Sequence, residues 1–309
     1  MNSSAVSPFD HLVGGLTRNA PVSALVLLGL GLIPLFGLLS GALLALIVLQ
    51  RGYARSFLIL TAAIIGVGII SWATGQGAWQ MIWDPLSGPV MRIWIPMFLV
   101  AGVLRAGRSL PLAILVAAGL ACLAVVAQLA LMADPIGFWH GMLAQLLAIV
   151  KQVPETQEPA AWKARLEAMA FLMPGMFAAS AMVGISAMLL LARYFQARLT
   201  RPGAFGEEFR RFSLGLTVSI AGSLILVARL LVAGPVLESL AIVALGLFLF
   251  QGLAVIHAVR FKRNWPRLGL VFFYVCLALV PLWLLGLVSG AGLVDNWFDF
   301  RRLKNPPKA

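Results

Sequence analysis

The sequence predicts an all-α protein: a polytopic transmembrane helical bundle of about eight spans, with a broken first segment and interfacial helices between spans four and five. Two observations predict it. The 309 residues are 61% hydrophobic and 11% charged, with a mean hydropathy of +0.97. A soluble domain carries about 25% charged residues, so this chain has too little charge to coat a water-facing surface. The apolar residues also gather into segments near the ~20-residue length that crosses a bilayer core. No alternating ten-residue pattern of a membrane barrel is present.

Residues 1–20 read as a polar N-terminal tail. It has no Lys or Arg before Arg18, so it lacks the basic start of a signal peptide, and the apolar stretch that follows is too long for a signal core. Residues 21–132 hold the first group of spans: Pro21–Leu49, Ala54–Ala73, Pro85–Leu104 and Leu110–Met132. The first of these is 29 residues long and carries Gly29, Gly31, Pro34, Gly37 and Gly41. Pro34 lacks a backbone donor and interrupts a helix. The segment is therefore either one kinked span or a pair of short helices turning near Pro34. Irregular backbone at membrane depth must be buried in protein or line a cavity, so the paired reading makes this region a pocket candidate.

Residues 133–173 form the longest interruption. Ile136–Val150 is apolar but only about 22 Å long as a helix, which suits the interface. Pro159–Phe171 reads as a second, amphipathic helix, with Trp162, Lys163, Arg165 and Glu167 on its wet face and a loop before it. Residues 174–289 hold the second group of spans: Pro174–Gln196, Leu214–Val232, Pro235–Val259 and Leu268–Ser289. Residues 290–309 form a basic, aromatic tail.

The net charge of +12 does not indicate nucleic acid. The cations lie in short loops near residues 50–55, 105–108, 198–211 and 260–267, which fall on one side if the segments alternate; that side is cytoplasmic by the positive-inside rule. The 133–173 region then faces out. Simple alternation places Arg301, Arg302, Lys304 and Lys308 outside, a conflict that a break at Pro281 or a folded-back tail would remove. Trp72, Trp79, Trp83, Trp94, Trp139 and Trp265 stand near segment ends, as interfacial anchors do. Cys122 and Cys276 lie inside apolar stretches and read as packing residues. The expected partner is the lipid bilayer of a bacterial inner membrane.

Signatures of soluble enzymes are absent. The sequence has no phosphate-binding GxxxxGK[ST] loop and no HExxH. His11, His140 and His257 are too dispersed for a zinc site, and no Ser–His–Asp arrangement emerges. The expectation is a non-enzyme with no cofactor and no metal. The polar groups within spans are few. Arg229 and Glu238 flank a short turn and are expected to pair on the outer side; Gln251 and His257 follow on the same segment as Glu238, and Gln128 lies in another. With Pro34, the residues Arg229, Glu238, Gln251 and His257 make the candidate polar lining. Gly37 with Gly41, Ser180 with Gly184, and Ala113, Ala117 and Ala121 give small faces for close helix approach.

Two polar motifs are more distinctive. In RPGAFGEEFRRF, residues 201–212, Gly206, Glu207, Glu208, Arg210 and Arg211 crowd opposite charges into one loop, a candidate partner-contact surface. In GLVDNWFDFRRL, residues 292–303, Asp295, Trp297, Asp299 and Arg301 belong to an aromatic and charged run that reads as an interfacial anchor. With IPLFGLLSGALLALIVLQRGYARSF, residues 33–57, these motifs give the chain a resemblance to the YybS-like predicted membrane proteins, a bacterial domain family of unknown function, in the same order and over nearly the whole chain. That family is distantly similar to the substrate-binding subunits of energy-coupling-factor vitamin transporters, and residues 35–73 look like their helix, glycine turn and helix. The resemblance implies a small-solute pocket and partner subunits that power transport. The 133–173 insertion and the tail motif depart from the vitamin binders, and no ligand residue carries over. The functional expectation is a small-solute-binding or transport-type subunit. The alternatives are a membrane scaffold that recruits other proteins and, third, an intramembrane enzyme.

Overall fold

The computed structural model describes residues 14–33, 36–75, 88–107, 109–150 and 159–301, with the side chains of 147–150, 159–163, Arg267 and Leu282 left aside. The fold is helical, with no strand among the described residues. In chain order the elements are α1 (Ala20–Leu32), α2 (Gly37–Arg51), α3 (Tyr53–Ala73), a π turn (Val90–Trp94), α4 (Ile95–Arg105), α5 (Leu110–Leu131), α6 (Pro135–Val150), α7 (Pro159–Thr200), α8 (Ala204–Arg210), α9 (Leu216–Leu231), α10 (Pro235–Lys262), α11 (Arg267–Leu279) and α12 (Pro281–Phe298).

Four helices are long and apolar enough to cross a membrane: α3, α5, α10 and the Ala164–Thr200 part of α7. The other apolar segments give shorter elements: Leu214–Val232 gives the 16-residue α9, Pro85–Leu104 gives the π turn and α4, and both end segments are interrupted. The first divides into α1 and α2, the paired form, around residues 34 and 35; Pro34 itself lies outside the described residues. The last divides at Pro281 into α11 and α12. The break expected before Pro174 does not occur. α7 runs 42 residues straight through that proline. A proline removes one backbone bond, and close packing at the next residue holds the helix: a Cβ on Gly175 would sit 2.5 Å from Ser239 Cα.

The chain forms two compact units interleaved in sequence, residues 1–117 with 183–212, and residues 118–182 with 213–309. In the first, α2 is the core, buried continuously from Ser40 to Leu49. α1 and α2 pack as an antiparallel hairpin. Thr17 Oγ1, just before α1, donates to Gln50 Oε1 near the end of α2 at 2.7 Å. At the other end, Gly31 abuts the Trp94 ring, and Trp94 Nε1 donates to Ser40 Oγ at 2.9 Å. The Gly37–Gly41 face receives Ile93 from the π turn, where a Cβ on Gly41 would lie 2.8 Å from Ile93 Cγ2. Trp94 is thus a buried core residue and not an interfacial anchor, since its indole N–H has a partner inside.

α3 shows what surrounds this unit. Its inward face is Ser56, Ile59, Leu60, Ala63, Val67 and Ser71, while Phe57, Leu58, Ile65, Ile69 and Trp72 point outward. The outside is bulkier and at least as apolar as the inside, the reverse of a helix on a water-soluble protein.

In the second unit, α10 and α12 make the closest pair. Gly252 lies against the Val288 carbonyl, and Gly292 against the Phe248 carbonyl and the Gly252 backbone, so the two helices meet main chain to main chain. They run parallel, because Lys262 Nζ at the end of α10 donates to the Arg301 carbonyl after α12. α11 therefore leaves from the end of α10 and α12 returns to it, a second hairpin. Arg301 thus stands beside Lys262. Trp139, a second expected anchor, is buried on α6 against Phe177 and donates to Gln128 Oε1 at 3.3 Å. Trp265 and Trp72 are exposed as anchors are; Trp79 and Trp83 lie outside the described residues.

These contacts predict a sharp dependence on hydrogen as a side chain. Gly252→Ala and Gly292→Ala each destabilise the protein by about 1–3 kcal/mol through overpacking, read as a lower melting temperature in detergent. Gly286→Ala, whose added methyl meets nothing within 4 Å, leaves melting unchanged or raises it slightly.

Candidate functional site

The second unit buries a polar node where α9, α10 and α12 meet. Gln251, fully buried midway along α10, donates from Nε2 to Asp295 Oδ2 of α12 at 3.2 Å. Its Oε1 accepts the Leu214 N–H at 3.0 Å and Asn296 Nδ2 at 3.3 Å. Asn296 also donates to Ser219 Oγ on α9 and accepts from Ser213 Oγ at 2.9 Å. Arg301 Nη2 lies 2.8 Å from Asp295 Oδ2, with both side chains largely buried at 14% and 4% exposure.

Local backbone makes this possible. α12 ends on Asp299, whose φ of +41° is left-handed and whose N–H caps the Asp295 carbonyl at 2.8 Å. That reversal swings the chain back so that Arg301 lies over the last turn of its own helix. Asp295 and Asn296 face inward, while Trp297, Phe298 and Phe300 are exposed. The tail motif thus has an exposed aromatic half and a buried polar half. Asp295 Oδ1 has no hydrogen-bond partner among the described residues. It is an open acceptor in a buried place.

The other expected lining residues stand elsewhere. Arg229 Nε and Glu238 Oε2 pair at 2.7 Å across the α9–α10 turn, as their spacing predicts, with the arginine more than a third exposed. Glu238 begins α10 and Gln251 lies about 20 Å further along it, so this pair is not part of the node. His257 Nε2 lies 2.9 Å from Tyr274 Oη on α11. Arg229, Glu238, Gln251 and His257 therefore occupy three places and do not line one pocket.

In the first unit, the partner-contact loop is held firmly. α8 carries Gly206, Glu207, Glu208 and Arg210, with Arg211 capping its end. Glu208 Oε2 accepts Arg193 Nε of α7 at 2.8 Å, and Phe205 stacks on Phe209. Gly206 leaves room for the Arg210 guanidinium, 3.1 Å from where a Cβ would be. Glu207 and Arg211 are exposed. Arg193 also donates to Gln196 Oε1 at 2.6 Å, and Gln196 Nε2 reaches the Leu49 carbonyl at 3.3 Å. Arg105 donates to the Val48 and Leu49 carbonyls, and Arg51 Nε to the Thr17 carbonyl at 2.8 Å. Cations that read as loop charges are thus the caps of a buried helix end.

Sequence reasoning missed Asn296, Ser219, Ser213, Arg105, Arg193 and Gln196 as partners in these clusters. Asn296 directly follows Asp295, and its helical register with Gly292 and Ser289 is the signal the sequence offers. Among the described residues no group of three or more His, Cys, Asp or Glu could hold a metal. No protein-family model, curated protein or solved structure matches the chain.

The node predicts strong coupling between its charges. Removing one member of a buried pair costs about 3–5 kcal/mol, whereas replacing both costs much less. Asp295→Asn and Arg301→Met are each expected to lower stability strongly, and the double variant to recover most of the loss. Melting of the four proteins in one detergent gives the cycle; additive losses would show that the pair contributes nothing as a pair.

Proposed function

We propose that the chain is a multi-pass protein of the bacterial cytoplasmic membrane that acts as a transport-type subunit, taking a small solute at the Gln251–Asp295–Asn296 node. The observation that carries this reading is the open Oδ1 of a buried carboxylate on an interrupted apolar segment. Charged groups among membrane helices mark substrate and ion pathways by default. Short or proline-broken segments in both halves of a transporter point to the binding site, and each unit here has such a hairpin, α1–α2 and α11–α12. A solute that donates a hydrogen bond, or carries positive charge, suits the vacant acceptor. The YybS-like resemblance points the same way and adds partner proteins as the source of energy. The exposed Glu207 and Arg211 on the pinned α8 are the surface offered to such a partner, which also keeps the scaffold reading in view.

The membrane topology follows from the cations. Crossings are made by α3, the π turn with α4, α5, α7, α9 and α10, while the α1–α2 hairpin and the α11–α12 hairpin each return to the side from which they enter. The positive-inside rule puts the basic end of each unit in the cytoplasm, together with residue 18 and residue 301.

Single cysteines in a Cys122→Ser, Cys276→Ser background test this arrangement. Thr74→Cys and Ala233→Cys should react with a membrane-impermeant maleimide in intact cells. Asn264→Cys and Phe300→Cys should react only after permeabilisation. Labelling of Phe300→Cys from outside would turn the second hairpin into a full crossing and sink the scheme.

For the solute, thermal-shift screening of purified protein against vitamins, nucleobases and metal ions should find a class that raises the melting temperature. Asp295→Asn is expected to abolish the shift and Arg229→Gln to keep it. A screen without hits, or a hit indifferent to Asp295, would remove the node from the reading.

A further inference from the structure

The sequence between Glu238 and Asp295 holds no acidic residue, yet Arg260, Lys262, Arg263 and Arg267 stand together at the α10–α11 connection. Residues 261–266 are all exposed. The Arg263 guanidinium lies 5.9 Å from the Trp265 ring centroid, and Arg260 Nε is buried with no hydrogen-bond partner among the described residues. The bond from Lys262 to the Arg301 carbonyl brings a second turn alongside, where exposed Phe298 and Phe300 stack with their rings 6.2 Å apart. Immediately beyond the loop, Leu268 and Phe272 are exposed one helical turn apart on α11. Cations on a stretch without acids, aromatic rings beside them and an apolar helix face leading away therefore follow one another along the surface, with the partly buried Asp299 of the second turn as the nearest acid in sequence to those rings.

Resting on the membrane reading above, we propose that this face docks an anionic phospholipid. The headgroup phosphate sits on Arg260, Lys262 and Arg263. Trp265 and Phe298 lie at the glycerol level, where amphipathic rings concentrate, and the acyl chains run along Leu268 and Phe272. Basic pockets beside membrane helices recognise such headgroups on the cytoplasmic side. A nucleic acid or acidic protein would match the cations alone and leave the adjoining apolar face uncovered. The first unit differs here, because at its basic end Glu208 already answers Arg193 and helix carbonyls take Arg105.

Native mass spectrometry of the full chain in detergent, with phosphatidylglycerol and phosphatidylcholine of matched acyl chains, tests the proposal. Each basic residue near the surface contributes about fivefold to binding. Phosphatidylglycerol should bind roughly tenfold more tightly than phosphatidylcholine, and Lys262→Gln with Arg263→Gln should erase most of that preference. Both side chains are exposed and a glutamine at 262 keeps an N–H donor for the Arg301 carbonyl, so the variant should melt and elute as the parent does. Arg55→Gln, an exposed cation of the other unit, should change nothing. Equal binding of the two lipids, a preference surviving the double substitution, or an equal loss with Arg55→Gln would overturn the proposal. So would displacement of the lipid by millimolar inorganic phosphate or a short RNA. An alkaline wash of membranes separates the two readings: release of the chain sinks both, whereas a retained chain with no lipid preference sinks only this one.

Discussion

Backbone polar groups exposed by an interrupted helix have to be satisfied by protein when the surroundings are apolar, because each one left bare costs several kcal/mol in hydrocarbon. That constraint organises both units. α2 is buried along most of its length, and the carbonyls at its end cannot reach water; Arg105 and Gln196 take them instead. The Leu214 N–H before α9 is met by Gln251. The placement of polar side chains therefore follows the helix ends, and what reads in sequence as scattered charge is, in three dimensions, a set of caps.

A second constraint is the approach distance of the helices. Lipid tails are as apolar as leucine, so helices gain little from hiding leucine from lipid, and close packing at small residues takes over. Gly252 and Gly292 bring α10 and α12 into backbone contact, and Gly31, Gly37 and Gly41 admit Trp94 and Ile93. The close α10–α12 contact is also what positions the polar node. Only with the two backbones in contact does Gln251 reach Asp295, so the packing glycines and the candidate site form one arrangement.

Much of the helical plan was legible in the sequence because apolar segments of membrane length leave few alternatives to helix. The interruption of the first segment and the possible break at Pro281 were readable from proline chemistry, and the Arg229–Glu238 pair from its spacing across a short turn. The continuity of α7 through Pro174 was not, because whether a proline ends a helix depends on the packing around it, here Gly175 against Ser239. Trp94 and Trp139 misled for a related reason: position near a segment end favours an anchor, but a buried partner for the indole N–H, Ser40 or Gln128, reverses the preference. The node was half legible. Gln251 stands out in the sequence as a polar group within an apolar segment, and Asp295 as part of the charged, aromatic tail motif. The two residues are 44 positions apart in sequence, and their meeting depends on the parallel course of α10 and α12, which has no local signature.

The two motifs that stood out in the sequence differ in how their charges are used. In the α8 loop, carboxylate and guanidinium groups answer one another across a short stretch, Arg193 to Glu208, and what remains exposed is a balanced Glu207 and Arg211. In the tail turn beside the α10–α11 loop, the Asp295 carboxylate is engaged by Arg301 inside the protein. The cations of the loop itself, Arg260, Lys262, Arg263 and Arg267, have no acid within the same stretch of chain. An uncompensated cluster repels itself unless counter-charge is supplied, and at a membrane surface the nearest dense source of negative charge is the lipid headgroup layer. With Asp295 taken by Arg301 inside the node, it is not offered to the exposed Lys262 and Arg263, and the charge they display is left for a counter-charge from outside.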